Sequence, residues 1–238
     1  MKISQVINKV EQQNIKPENL IPEQGISTAL KTKTMVKHYD YDDAMKWLEN
    51  KGKEIYGLKF QILETDRPLI KKLLCYFLKD ELLASQLHIC LHKGILLTGP
   101  VGCGKTTLMS LIRFFDSSNN KFVIKSCRDV SFEFIRDGYE TIHKYSHCSF
   151  HKMEHKTYCY DDLGTENNLK YFGNECNVMA EVLLSRYDLF VSRKLQTHIT
   201  TNLSASEIES FYGNRVRSRM REIFNLISFD KNSEDKRI

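Results

Sequence analysis

The chain has 238 residues, a length that suits one large α/β domain, or such a domain with a small N-terminal attachment. Hydrophobic residues make up 41% and charged residues 27%, an ordinary globular composition. The formal net charge of +5 permits binding to a polyanion but does not prove it. The sequence has neither a run of about 18 apolar residues, which a membrane span needs, nor a secretory signal at its start. We therefore expect a cytoplasmic protein with no membrane partner.

Cysteine usage agrees with that compartment. The seven cysteines are scattered and mostly set among apolar residues, and no CxxC pair occurs. This usage is typical of a cytosolic chain without a disulfide framework. We expect five of them to be reduced residues in or near the core: Cys75, Cys90, Cys103, Cys127 and Cys159.

The N-terminal quarter of the chain differs from the rest. Residues 1 to about 38 are polar with little periodicity, which predicts a loosely ordered or partner-dependent arm. A first helix is predicted by YDYDDAMKWLENKGKEIYG, because acidic residues open it and apolar ones recur at helical spacing. A second helix is predicted by TDRPLIKKLLCYFLKDELLAS, with Pro68 in its first turn.

Strand-like and helix-like segments alternate in the remainder of the chain. The short apolar runs GILLT, KFVIKS, KTYCYDD, QTHITTN and FNLISFD are strand-like. The segments between them are helix-like: KTTLMSLIRFF, DVSFEFIRDGYETIHKYS, ECNVMAEVLLSRYDLFVSR and SASEIESFYGNRVRSRMRE. This alternation predicts an α/β fold in which helices cover a parallel sheet.

A phosphate-binding loop follows the first of these strands. The stretch GILLTGPVGCGKTT matches the pattern GxxxxGK[ST] and lies between a strand-like and a helix-like run, as that motif requires. Its glycines let backbone N–H groups surround a phosphate at a helix N-terminus. The residues predicted to bind the nucleotide are Gly99, Pro100, Val101, Gly102, Cys103, Gly104, Lys105, Thr106 and Thr107.

Polar residues at two later strand ends complete this site. In TYCYDDLG, we expect Asp161 to hold Mg²⁺ together with Thr106, and Asp162 to orient or deprotonate the attacking water. Asn202, at the end of THITTN, is expected beside the γ-phosphate and the water. Ser204 and Glu207 form a capping-box pattern that begins the next helix.

Four stretches together resemble an AAA+ ATPase of the DnaC/IstB type: GILLTGPVGCGKTTL, YDDLGTE, HITTNLSASEI and YGNRVRSRMREIFNLISF. In that family they are Walker A, Walker B, sensor 1 and the arginine-finger box. The resemblance covers about residues 60 to 238. It implies a P-loop NTPase core with a five-stranded parallel sheet between helices, a small helical N-terminal region and no C-terminal lid domain. Many AAA+ proteins carry Glu at the position of Asp162, so the placement of the water is in question here and Glu166 could assist.

The resemblance also implies a division of labour along the chain. Residues 1–58 would form an arm and helix that bind a partner, and residues 59–238 would form the AAA+ ATPase domain. The implied cofactors are ATP and Mg²⁺, and the implied assembly is a homo-oligomer formed when ATP is bound.

Four arginines alternate in the last helix-like segment, in RVRSRMR. On a helix, Arg215 and Arg219 would share one edge and Arg217 and Arg221 the other, on either side of an apolar stripe. By its match to the family's motif, Arg219 is expected to be an arginine finger that reaches the γ-phosphate of a neighbouring subunit, with Arg215 in support. Four solvated surface arginines remain the alternative interpretation.

A histidine-rich stretch precedes the acidic strand. His143, His147, His151 and His155 recur every fourth residue, which would form a stripe on one helix. A surface connection, contact with a partner or DNA, and zinc binding all remain open, and the spacing matches no known zinc site.

Four functions are compatible with these motifs. The resemblance implies a helicase loader in DNA replication that assembles on DNA, with single-stranded DNA favoured over duplex, and recruits a replicative helicase. An IstB-like transposition ATPase that binds duplex DNA and activates a transposase would use the same motor. A nucleotide-dependent adaptor and a small-molecule kinase are the other two. The small-molecule kinase is the weakest of the four. The arginines of this chain lie in the finger-box motif, whereas in a kinase they should lie in a lid over a second substrate.

Overall fold

The fold is described from a computed structural model of the chain. The structure describes residues 39–116, 121–146, 156–166, 169–171 and 174–237. The predicted arm over residues 1 to about 38 lies outside these ranges, and so do His147, Cys148, His151 and His155. Within them, no helix is long and apolar enough to cross a membrane.

The described elements alternate along the chain as predicted. The helices are α1 (Tyr41–Tyr56), α2 (Arg67–Leu78), α3 (Glu81–Gln86), α4 (Lys105–Ile112), α5 (Cys127–Asp137), α6 (Tyr139–Tyr145), α7 (Val178–Arg193) and α8 (Ala205–Ile223). The strands are β1 (Gly94–Thr98), β2 (Val123–Ser126), β3 (Tyr158–Leu163), β4 (Leu169–Tyr171), β5 (Asn174–Cys176), β6 (Thr197–Thr201) and β7 (Phe224–Ser228).

Five of these strands form one parallel sheet in the order β2-β3-β6-β1-β7. Strands β4 and β5 pair separately as a short antiparallel ribbon. Because β1 is flanked by β6 and β7, the loop that follows β1 opens at the carboxyl edge near the middle of the sheet. The predicted α/β fold, with a five-stranded parallel sheet between helices, is confirmed.

Apolar clusters cover both faces of the sheet. In β1, Ile95 and Leu97 belong to one cluster and Leu96 to the other, as the alternation of side chains along a strand requires. The first cluster packs α1, α2 and α4 on one face, and the second packs α5, α7 and α8 on the other. The sheet is therefore buried on both sides, which explains why its strands read as short, nearly continuous apolar runs.

Helix α1 is part of the first of these cores. Asp40 caps it by accepting hydrogen bonds from the N–H groups of Asp42 and Asp43, at 3.1 and 3.0 Å. Its Ala44 and Leu48 are fully buried in the cluster that also holds α2 and α4. The division into residues 1–58 and 59–238 stays a prediction, but α1 packs on the same core as the sheet.

Two predicted helices are each divided in the structure. The segment TDRPLIKKLLCYFLKDELLAS ends its first helix at Lys79, which has a positive φ of 56°, and Asp80 then caps α3 through the Leu83 N–H at 3.0 Å. The segment DVSFEFIRDGYETIHKYS divides at Gly138, with φ of 60°, into α5 and α6. In both places a residue that favours a cap or turn overrides the apolar periodicity.

The six cysteines within the described residues are free thiols. Cys75, Cys103, Cys127 and Cys159 are buried, as expected. Cys90 is exposed, which corrects its placement in or near the core: it lies in the loop before β1.

Candidate nucleotide-binding site

The loop between β1 and α4 forms the centre of the candidate site. Its backbone has positive φ at Gly102 (81°) and Gly104 (95°), a conformation that a residue with a Cβ adopts only with strain. Gly104 is also the N-cap of α4, so the loop leads directly into the positive end of a helix. The loop therefore has the form of an anion-binding cradle.

Lys105 is the cation of this cradle and is only 5% exposed. Its Nζ donates hydrogen bonds to the carbonyl oxygens of Gly99, at 3.0 Å, and Pro100, at 2.8 Å. It also donates to Oδ1 of Asn202, the residue that follows the neighbouring strand β6. The structure thus brings Asn202 to the phosphate loop, where the sequence placed it.

Thr106 and Asp161 meet at the start of α4. The Thr106 hydroxyl lies 3.0 Å from each carboxylate oxygen of Asp161, which stands near the carboxyl end of β3. Burial raises the pKa of the Asp161 carboxyl above its usual value, and hydrogen bonds from Thr200 and Thr106 oppose that rise. A hydroxyl and a carboxylate are the oxygen ligands that Mg²⁺ takes beside phosphate groups, so these residues fit the predicted ion.

Asp162 lies beside Asp161 in a different backbone conformation. Its φ is 54°, in the left-handed region that Asp tolerates better than most residues. Its N–H donates to the Thr200 hydroxyl at 2.9 Å, and its side chain lines the same cavity as Lys105 and Asn202. Asp162 of β3 thus lies on the same cavity as the phosphate loop.

Thr200, which is not among the predicted site residues, contacts both acidic residues. Its hydroxyl donates to Asp161 at 2.6 Å and accepts from the Asp162 N–H, so one side chain orients both acidic residues. Its position two residues before Asn202, on the same side of β6, was the available signal.

Glu166, which the sequence offered as an assistant to Asp162, is not among the residues that line the cavity. It is 8% exposed, and its carboxylate accepts hydrogen bonds from the Gly164 N–H at 3.0 Å and from the Tyr212 hydroxyl of α8. Its two oxygens therefore hold the loop after β3 against α8.

A cavity of about 590 Å³ connects these groups. Its lining combines the phosphate loop, Asp162 and Asn202 with apolar residues of the segment 56–63 and of α2 and α4. A cavity of this size with both polar and apolar lining residues is suitable for a ligand such as a nucleotide.

The alternating arginines lie on α8, on either side of a buried stripe of Tyr212, Val216, Met220 and Ile223. The predicted helix and stripe are confirmed, as is the capping box of Ser204 and Glu207.

The arginine side chains have different surroundings. Arg217 pairs with Glu209, whereas Arg215 and Arg221 are exposed. The guanidinium of Arg219 lies 4.9 Å from the centre of the Tyr187 ring, and its Nη1 is buried without a hydrogen-bond partner among the described residues. None of these four arginines lines the cavity within the part of the chain that the structure describes.

No protein-family model and no curated protein matches this sequence. Among solved structures, the chain is similar to the DnaC helicase loader, with a TM-score of 0.44 and 19% identity over 58% of this chain and 79% of that one. A putative primosome component from Streptococcus pyogenes serotype M3 has a TM-score of 0.49 and 16% identity over 72% and 83% of the two chains. AMPPCP-bound DnaA from Aquifex aeolicus has a TM-score of 0.45 and 17% identity, over 72% of this chain and 49% of that one. At these identities the likeness is one of fold alone.

Proposed function

We propose that this chain is an AAA+ ATPase that binds ATP with Mg²⁺, hydrolyses it, and acts in DNA replication as a DnaC-like helicase loader. The observation that carries the ATPase part is that the phosphate loop, Asp162 and Asn202 line one cavity, where Asp161 contacts Thr106 of the loop. The replication role is supported by the resemblance of the four motif stretches to DnaC-type proteins.

The five polar residues of the proposed site have roles that follow from their positions. Lys105 compensates phosphate charge from within a nearly buried site, where its attraction is weakly screened. Thr106 and Asp161 would hold Mg²⁺, which would supply positive charge to offset that of the phosphate groups. Asp162 would orient or deprotonate the attacking water, and the Asn202 amide would position that water and the γ-phosphate.

Helix α8 carries the arginines that are not among the residues lining the cavity. In its own subunit Arg219 lies on Tyr187, outside the cavity lining, so its guanidinium is available to a second copy of the chain rather than to its own nucleotide. A trans finger of this kind stabilises transition-state charge and can raise the rate by about 10³–10⁵. We therefore propose an ATP-bound homo-oligomer with Arg219 as the finger and Arg215 as its support.

An exposed apolar patch supports the proposed binding of single-stranded DNA. Phe132 and Ile135 of α5 and Tyr139 of α6 are 52%, 55% and 57% exposed. The Arg128 guanidinium lies 5.3 Å from the centre of the Phe132 ring. Exposed rings beside a guanidinium are suitable for stacking unpaired bases. Replacing Phe132 by Ala should weaken single-stranded DNA binding, whereas Leu82→Ala, at an exposed apolar residue of α3, should not.

The test of the ATPase compares binding with turnover. Lys105→Ala should lose ATP binding, and Asp162→Asn should keep binding but lose hydrolysis, because only the latter leaves the phosphate cradle intact. Lys46→Ala, at an exposed lysine of α1, serves as the matched control. Binding is measured by titration with a fluorescent ATP analogue, and turnover by phosphate release. Unimpaired turnover in Asp162→Asn would remove that residue from the mechanism.

The loader role is tested by co-elution with the replicative helicase of the same host, in the presence of Mg²⁺ and ATP. Because α1 packs into the core, the truncation that tests recruitment should remove residues 1–38 and keep the rest of the predicted 1–58 unit. A complex that this truncation abolishes supports the loader. The absence of any complex, with ATPase activity intact, favours a transposase partner. A partner complex that persists in Asp162→Asn favours the nucleotide-dependent adaptor.

A further inference from the structure

The segment after β7, residues 229–237, runs back across the phosphate loop. Phe229 donates its N–H to the Thr98 carbonyl at 2.9 Å, and Lys236 donates its N–H to the Gly102 carbonyl at 3.0 Å. A Cβ placed on Gly102 would lie only 2.1 Å from a carboxylate oxygen of Asp235. The segment is therefore in direct contact with the loop, and glycine at position 102 permits that approach.

Lys236 anchors the segment on the opposite side as well. Its Nζ donates a hydrogen bond to Oδ2 of Asp66, the residue that precedes α2, and lies 5.0 Å from the centre of the Phe229 ring. The Asp66 side chain is only 8% exposed. An isolated carboxylate in that position would be poorly solvated, so the ion pair opposes release of the segment.

The segment forms one wall of the nucleotide cavity. Residues Glu234–Arg237 line the same cavity as the phosphate loop, Asn202 and the apolar segment 56–63. A nucleotide with its phosphates on the loop and its base against the apolar residues of the segment 56–63 would lie beside residues 234–237.

We propose that residues 234–237 form a clasp over the bound nucleotide, held closed by the Lys236–Asp66 ion pair, and that this clasp slows nucleotide release. The inference rests on the proposed nucleotide binding and assigns it a further positioning residue, Lys236. The clasp covers the cavity with a short segment of the same chain.

The test is the rate at which a fluorescent ADP analogue leaves the full-length protein when it is chased with excess ADP. Lys236→Ala should accelerate dissociation about tenfold, the effect of losing one partly buried charge pair. Asp66→Asn should have a similar effect, and the double variant should dissociate no faster than either single one, because both changes remove the same interaction. Lys236→Arg should restore slow release, and Lys231→Ala, at a lysine of the same segment outside the cavity lining, should match the parent.

A structural role for Lys236 alone would not produce this pattern. In Lys236→Ala the KM for ATP should rise while kcat is maintained or increases. Equal dissociation rates in the parent, Lys236→Ala and Asp66→Asn would overturn the clasp and leave the ATPase proposal standing. A parent protein that binds no nucleotide would overturn both.

Discussion

Thr200 orients two consecutive acidic residues of the site through a single hydroxyl group. Its Oγ1 donates to the Asp161 carboxylate and accepts from the Asp162 N–H. Threonine is fully buried at this position, so the hydroxyl has no water to replace either partner. The geometry of the Mg²⁺ ligand and of the proposed water-activating residue therefore depends on the neighbouring strand.

Thr200→Val should damage this arrangement without changing the shape of the side chain. We expect a loss of about 1–3 kcal/mol in unfolding free energy, because a buried donor and acceptor are left unpaired. We also expect Mg²⁺ to bind less tightly, so that half-maximal ATPase activity needs a higher Mg²⁺ concentration, measured by titration with the ion. Thr201→Val is the matched control, since the Thr201 hydroxyl bonds the Leu163 carbonyl at 2.6 Å. It should lose stability but keep the Mg²⁺ dependence.

His198, in the same strand, is a buried base in an aromatic cluster. Burial lowers its pKa to about 3, and the charges of Lys79 and Arg186 add to the shift. Its Nδ1 accepts the Ile95 N–H at 3.1 Å, a bond that requires this nitrogen to be unprotonated. Histidine here is a structural residue of the pairing between β1 and β6.

This burial predicts an acid sensitivity. The folded state holds His198 neutral while the unfolded chain protonates it, so its contribution is complete above the unfolded pKa of about 6.5. It decreases as the pH falls from there towards 3, by up to about 1.4 kcal/mol per pH unit. Unfolding free energies measured by denaturant titration between pH 8 and pH 4 should show this slope, and His198→Gln should lack it while being less stable at pH 8. An equal slope in both proteins would contradict the assignment.

At the scale of elements, α8 consists of two helical halves that are separated by a kink at Gly213. Gly213 has φ of 83° and ψ of 161°, a combination open to glycine alone, and a Cβ there would meet nothing within 4 Å. The kink separates the capped first half of the helix from the half that carries the arginines. Next to it, Tyr212 donates its hydroxyl proton to Glu166, which ties this point of α8 to the loop after β3.

Gly213→Ala should therefore cost backbone strain and not steric overlap. We expect a loss of about 1–3 kcal/mol in unfolding free energy, together with a fall in ATPase activity, because a straighter helix moves the arginine edges. ATP binding should be retained, since the kink lies outside the cavity lining. Ser218→Ala, at an exposed position in the same helix, should leave both quantities unchanged. Turnover equal to the parent in Gly213→Ala would separate the kink from the finger.

At the scale of the whole molecule, the proposed active site is divided between two copies of the chain. Each copy holds a phosphate cradle on one part of its surface and Arg219 elsewhere, on Tyr187 of α7. Specific ATPase activity should consequently rise with protein concentration, as the copies associate. The two halves of the site can be inactivated separately.

Mixing two inactive variants should restore activity. Arg219→Ala keeps its cradle but lacks the finger, and we expect its turnover to fall by about 10³-fold with ATP binding preserved. Asp162→Asn keeps the finger but cannot activate water. In a mixed assembly the second subunit can donate its finger to the first, so phosphate release should exceed the sum of the separate activities. The control is Arg221→Ala, at an exposed arginine on the other edge of α8. This variant should retain turnover without being mixed with another variant. No recovery on mixing would overturn the trans finger.

The sequence alone determined the elements whose cause is local. The phosphate loop is defined by adjacent residues, and the five strands of the parallel sheet and the capping box of α8 follow from short-range patterns, so all of these could be predicted. The ribbon of β4 and β5 was not predicted, and β5 includes Glu175 and Cys176, which the sequence assigned to the start of a helix. The divisions at Lys79 and Gly138 were missed, because apolar periodicity continues across both while the backbone changes direction. Asp161 and Asn202 lie at the edge of the sheet where the sequence predicted them, because the carboxyl ends of parallel strands meet there. Their roles in the reaction stay predictions.

Only the tertiary structure decided which side chains that are distant in the sequence come into contact. Thr200 acquires its role because β6 lies beside β3, and Glu166 is withdrawn from the cavity because Tyr212 reaches it from α8. The ion pair between Asp66 and Lys236 joins residues far apart in the chain, and no periodicity marks it. Contacts of this kind arise from the packing of complete elements, whereas a sequence pattern records only which face of each element is apolar.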